Sequence, residues 1–397
     1  MRSSINLIKC LEVKLRLMKQ NIYNKIKREN RGVNMEDKKK IESISDSELV
    51  ELFEQANSVE EKLRYFSRIQ DDNCKMELLN SIPEKDRYKF IGKLKACENI
   101  ATALKSLSED KTKSKTFNFV AKQFKGNNIG LLEILTQIDF DVTIPPNMLI
   151  FKLNNINALN LDFLINIQRH VSNYSDMKFK INEHEGDSKD IEYSFSEISA
   201  IIAKIEELTA DIPKEMDEAN KFYTLYSRIT SMMTYDYNCI RETEDAESRM
   251  NRWSEEYGNR LKAIRKNPAG LYGGLVEGKA ICAGYALILH EALKYVGMKS
   301  QYVRGQDKEN NGHAWNQVQI DDKWYNADPT WDSSVVQIFR KYEYMLLDDE
   351  DFDKSHGEYS ILKTKTYHKC KSKFDYGKIQ GLSPSQIKIT GKDTYRI

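Results

Sequence analysis

"GHAWNQVQIDDKWYNADPTWD", Gly312 to Asp332, decides how this chain folds. Strand-type residues from Ala314 to Ile320 and from Lys323 to Ala327 flank the polar pair Asp321-Asp322, which reads as a tight hairpin turn. A two-residue turn places Trp315 opposite Asp328 and His313 opposite Thr330. His313 and Asp328 are then diagonal neighbours on one face, within reach of a side-chain hydrogen bond. A loop longer or shorter by two residues keeps that face shared, because side chains alternate along a strand with a period of two.

Toward the N-terminus lies "GKAICAGYALILHEALKYVGM", Gly278 to Met298. Gly278 punctuates a loop, Ala286, Leu289, Leu293 and Val296 recur at helical spacing, and Gly297 stops the helix. Cys282 falls in the first turn, where unpaired backbone N–H groups and the positive end of the helix dipole favour a thiolate. A cysteine on a helix with a histidine and an aspartate on adjacent strands is a papain-like Cys-His-Asp arrangement. The imidazole of His313 exchanges a proton with Cys282, and Asp328 fixes its tautomer. The Cys282 backbone N–H is a natural oxyanion donor, Tyr272 is expected to add a side-chain donor, and Trp315 and Trp331 to wall the cleft.

"GKAICAGYA", "GHAWNQV" and "WYNADPTWD" resemble the three core motifs of the transglutaminase-like superfamily, particularly its bacterial members. "MTYDYN" (Met233 to Asn238) and "YEYMLLDDEDFDKSH" (Tyr342 to His356) are similar to flanking segments of those proteins. The resemblance covers roughly the C-terminal half. It implies an α+β fold in which the helix carrying the cysteine packs on an antiparallel sheet carrying the histidine and aspartate. It also implies Cys282 as nucleophile, His313 as general base and acid, and Asp328 as the orienting carboxylate. The reaction would act on an amide or peptide bond through a thioester acyl-enzyme, with hydrolysis favoured over acyl transfer or deamidation. Neither the paired-cysteine zinc module of the glycan-removing branch nor a D-x-D-x-D-G calcium loop is present in the sequence. No cofactor and no metal are expected. A non-catalytic adaptor is the reading from another class.

The remaining sequence bounds these expectations. Among 397 residues, 61 basic and 60 acidic side chains nearly cancel, so no global charge steers the chain to nucleic acid or membrane. Charges interrupt every apolar run, and the basic N-terminus lacks the apolar core of a secretory signal, so a cytoplasmic location is expected. The six cysteines form no C-x-x-C pair. The expected organisation is a basic segment (1–34) that is untranslated or disordered, a helical-repeat region (35–126), a small βαβ connector (127–190), a transglutaminase-like domain (191–376) and an extension (377–397). Codons for Arg31 to Asn34 can read as a purine-rich ribosome-binding site, which points to Met35 as the start. "NSVEEKLRY" at Asn57 recurs as "NSIPEKDRY" at Asn80, suiting stacked helical hairpins that offer a surface to a protein partner. The substrate is expected to be a protein or peptide. His290 is expected on the exposed face of its helix and His356 in a solvated loop or helix start, while His170, His184 and His368 receive no role.

Overall fold

The computed structural model describes residues 44–124, 129–182, 190–239, 255–333, 341–359 and 367–387. The chain divides into two compact units after Ala103. The basic segment before Met35 lies outside the described residues.

The first unit is built from short helices: α1 (Asp46–Gln55), α2 (Val59–Phe66), α3 (Asp72–Leu79), α4 (Glu84–Ile91) and the start of α5 (Cys97–Lys105). Ser45 caps α1 in a capping box with Glu48, Ser58 caps α2 and Asp71 caps α3, so side-chain oxygens take first-turn N–H groups that lack helical partners. Equivalent caps fall at Ser45 and Asp71, and at Ser58 and Pro83, giving a hairpin repeat of 26 and 25 residues. The sequence echo between Asn57 and Asn80 runs two residues short of this structural repeat, because Pro83 rather than Ser81 opens α4. Phe53, Phe66 and Phe90 meet edge-on or tilted at 5.1 to 6.4 Å in the core. The first aspartate of each hairpin reaches the turn after it: Asp46 accepts N–H groups of Gln70 and Asp71, and Asp72 those of Lys95 and Ala96.

The second unit continues with α6 (Asp110–Ala121), α7 (Ile129–Leu135), β1 (Ile150–Leu153), α8 (Leu161–His170), β2 (Lys178–Ile181) and β3 (Ile191–Ser194). β1 and β2 are parallel and joined through α8, whose cap Asn160 accepts the Phe163 N–H, so a βαβ unit is present. β3 adds antiparallel to β2, with Phe179 opposite Tyr193. The expected boundary between residues 190 and 191 therefore falls inside this sheet, and the division by contacts lies instead at Ala103. A capping box of Ser194 and Glu197 turns β3 directly into α9 (Phe195–Thr209), and Asp217 caps α10 (Glu218–Met232).

Next come β4 (Thr234–Tyr235), α11 (Glu255–Lys266), β5 (Lys279–Ala280), α12 (Cys282–Tyr295), β6 (Ser300–Asp307), β7 (Gly312–Ile320), β8 (Lys323–Ala327), the short α13 (Asp349–Phe352) and β9 (His356–Tyr359). The four long strands form an antiparallel sheet in the order β8-β7-β6-β9. α12 touches α9, α10, β6 and β7, and every residue from Gly284 to Leu293 is buried, as suits a helix enclosed on all sides. That enclosure corrects the reading of His290. It is buried, its Nδ1 lies 2.7 Å from Ser300 Oγ, and burial pushes its pKa down to about 3.

The β7–β8 hairpin keeps the expected register, Ile320 opposite Lys323 through Asn316 opposite Ala327. Asp321 and Asp322 both take left-handed φ values, 48° and 60°, the geometry a two-residue turn demands of a twisted hairpin. β8 ends at Ala327 and a helical turn starts at Pro329, so Thr330 does not pair across from His313. The segment after residue 376 lies on α10, where Asn220 bonds the backbone of Lys378 and Gln380. Ile387 bridges Tyr342, and the chain after it lies outside the described residues. Among the described residues no helix is long and apolar enough to cross a membrane.

Candidate active site

The site begins with how the backbone is forced into place ahead of α12. Gly278 adopts φ +71°, and a Cβ on Gly273 would lie 2.0 Å from the Asn267 carbonyl oxygen, so neither position accepts a side chain without strain. The Ile281 N–H bonds the Pro268 carbonyl at 2.8 Å, and a Cβ on Gly284 would lie 2.4 Å from that same oxygen. Cys282 thus emerges as the first residue of α12, half-buried, with no side chain capping the helix. Its first-turn N–H groups are left for other partners.

One of those partners is Tyr235. β4 runs parallel to β5 with Tyr235 opposite Ala280, and the Tyr235 phenol oxygen accepts the Cys282 backbone N–H. Burial, then the neighbouring Cys282 and Tyr237, holds this phenol well above its ordinary pKa, so it stays protonated. Tyr272, the side-chain donor expected from sequence, sits instead in the helical turn before the π-helical stretch Gly273–Glu277. Tyr235 lies in the quoted "MTYDYN", but only its pairing with Ala280 places it beside Cys282.

His313, near the start of β7, faces two groups. Its Nε2 is 2.6 Å from Asp328 Oδ2, and the Cys282 thiol hydrogen-bonds the same imidazole. Burial alone would favour the neutral ring. The adjacent Asp328 carboxylate, with the cysteine, outweighs it and raises the His313 pKa. The Asp328 carboxylate is fully buried and fully used: Oδ1 accepts the N–H groups of Thr330 and Trp331 at 2.9 and 3.2 Å, and Oδ2 receives His313 and, at 3.2 Å, Nε2 of His356. Burial would push this carboxyl up, but the His313 charge and the hydrogen bonds to both imidazoles keep it well below the usual range. The structure thus brings Cys282, His313 and Asp328 into one hydrogen-bonded row.

Two aromatic expectations divide. Trp331 is half-buried and stacks on His313 at 4.8 Å. Trp315 is fully buried in a cluster with Val303, Tyr344, Leu347 and Phe352, so it supports the site from beneath and walls no open cleft. His356, expected to be solvated, is 1% exposed. His313, Asp328 and His356 each offer one metal-type donor atom within 4.8 Å of the others.

Residues 234–329 match the family model of the transglutaminase-like superfamily. This chain carries a transglutaminase-like core. Tyr235, Cys282, His313 and Asp328 all fall inside the matched stretch, and His356 falls outside it. A solved structure described as "Crystal structure of a TGase" aligns at 21% identity and a TM-score of 0.26, over 34% of this chain and 31% of its own, so the chain spans about a third of that protein. No curated protein matches the chain.

Proposed function

We propose that the transglutaminase-like core hydrolyses an amide or peptide bond in a protein or peptide, with Cys282, His313 and Asp328 as its catalytic residues. The single observation that carries this reading is the row Cys282–His313–Asp328, closed by the 2.6 Å contact between His313 and a fully buried carboxylate. The thiolate of Cys282 attacks the carbonyl carbon. The oxygen becomes an oxyanion, which takes the place of the Tyr235 oxygen on the Cys282 N–H and accepts the Tyr235 O–H as well. His313, protonated, gives its proton to the amine as the C–N bond breaks, leaving a thioester. Neutral His313 then takes a proton from water, whose oxygen attacks the thioester and releases a carboxylic acid, leaving the Cys282 thiolate beside protonated His313. An amine in place of water would give acyl transfer by the same steps. The unbridged cysteines Cys74, Cys97, Cys239, Cys282 and Cys370 support action in a reducing compartment such as the cytoplasm. The helical repeats of the first unit are proposed as a surface for a protein partner.

The first test is iodoacetamide labelling of Cys282, followed by peptide mass spectrometry, in the wild type and in His313→Ala. Labelling near neutral pH that drops in the variant supports the reading and leads to peptide and amide substrate screens, scored with and without a primary amine. Labelling indifferent to His313 overturns it and favours a non-catalytic adaptor.

A further inference from the structure

His356 does something the matched core does not account for. It opens β9 at the edge of the sheet, where it pairs with Asp307 of β6, and a three-residue turn separates it from α13. The Phe352 ring stacks on its imidazole at 3.7 Å and 13°, Trp331 lies at 4.3 Å and Trp315 meets it edge-on at 5.1 Å. An imidazole enclosed by aromatic rings is costly unless both nitrogens are partnered. Here Nδ1 lies 3.0 Å from Ser355 Oγ, and Nε2 points to Asp328 Oδ2 at 3.2 Å. One carboxylate oxygen therefore serves two imidazoles. The charged groups facing His356 are Asp328 and His313, and burial, the larger influence, keeps its pKa below the ordinary value. As a neutral ring with its proton on Nε2, His356 donates to Asp328 without competing for the positive charge that His313 carries.

We propose that His356 is a positioning residue: its Nε2–H, together with the Thr330 and Trp331 N–H groups, holds the Asp328 carboxylate fixed by three donors independent of His313. This rests on the reading of Cys282, His313 and Asp328 as catalytic. Without that third donor Oδ2 is tied only to the group that must gain and lose a proton, and the two N–H groups on Oδ1 alone resist rotation about the Cβ–Cγ bond. With it, Asp328 presents the same lone pair to His313 in every protonation state.

The test uses the full chain. His356→Leu keeps an apolar side chain between Phe352 and Trp331 but removes the donor; His356→Gln returns an N–H near the reach of Nε2; His356→Asn carries an amide too short to do so. The readout is the rate of iodoacetamide labelling of Cys282 below about pH 7, where His313 is charged, and above about pH 9, where free thiols react unaided. His356→Leu is expected to slow low-pH labelling about 10- to 100-fold, the range for losing one hydrogen bond to a charged group. Labelling at high pH stays at the wild-type rate, and His356→Gln recovers most of the loss. A purely structural role would move both pH ranges together, and that result overturns the proposal. If His356→Leu fails to fold, the amide pair decides: fast Gln with slow Asn supports positioning, and equal rates overturn it. His313→Ala keeps the two readings apart. If His313→Ala slows labelling while folded His356→Leu does not, the positioning role alone falls; if His313→Ala changes nothing, the catalytic reading falls and takes this one with it.

Discussion

Asp72 in the helical unit and Asp328 in the transglutaminase-like core are held by the same device and do different things. Each accepts two backbone N–H groups, from Lys95 and Ala96 in one case and from Thr330 and Trp331 in the other. Asp72 spends its other oxygen on the Lys75 ammonium, 3.2 Å away, which also reaches the Lys93 carbonyl and so ties α3 to the turn after α4. Asp328 spends its other oxygen on two imidazoles. A lysine keeps its proton throughout the neutral range, so Asp72 forms a strut; a histidine can release and regain one, so Asp328 can support proton transfer. The difference lies in the partner, not in the clamp.

The sharpest way to break this contrast is to neutralise each carboxylate without changing its shape. Asp328→Asn is expected to lower turnover of an amide substrate by about 10,000-fold, because the amide no longer enforces the productive His313 tautomer. Asp72→Asn should leave turnover unchanged and loosen only the helical unit, measured as faster amide exchange at Lys95 and Ala96. A comparable loss of turnover from Asp72→Asn would make the strut part of the machinery.

Packing separates the two regions next. Phe90, fully buried against Phe53 and Phe66, should cost about 3 to 5 kcal/mol of stability when cut to alanine, read as a lowered denaturant midpoint for the helical unit. Cys282 labelling should stay at its wild-type rate, and a fall would show that the helical unit supports the site. Within the core, Tyr235→Phe should slow amide turnover about 100-fold, while iodoacetamide, whose reaction forms no oxyanion, labels at the wild-type rate. Equal slowing of both would make Tyr235 a support for Cys282 rather than a donor to the oxyanion.

The contrast also explains what was legible in the sequence. The β7–β8 register was readable because strand alternation and a two-residue turn leave little freedom, and it carried His313 and Asp328 onto neighbouring positions. The start of α12 at Cys282 was readable from Gly278, Gly297 and the apolar spacing. Tyr235 was missed because its place depends on a two-residue parallel pairing with β5 across more than forty residues, which no local pattern encodes. His356 was misread because its acidic neighbourhood looks solvated: Asp353 and Lys354 are exposed, yet the chain turns inward two residues later and stacks His356 on Phe352. His290 was misread because helical spacing cannot distinguish one covered face from a helix covered on every side.

Acid and alkali should pull the two regions apart in the most modest way. Asp72 is opposed by its burial but held below its ordinary pKa by the Ala96 and Lys95 N–H groups and Lys75. A carboxyl depressed in the folded state contributes stability that is present above its unfolded value, about 4, and lost as pH falls through the lower folded value. His313 is shifted the other way, up to about 10 against burial. Its contribution is complete below the unfolded value, about 6.5, and fades as pH rises through the folded one. Protection of the Lys95 and Ala96 amides, taken relative to intrinsic exchange at each pH, should therefore fall on acidification toward pH 3, while protection around β7 falls between about pH 7 and 10. His313→Gln should abolish the alkaline change and leave the acid change of the helical unit as it was; an alkaline change that survived would mean that some group other than His313 titrates there.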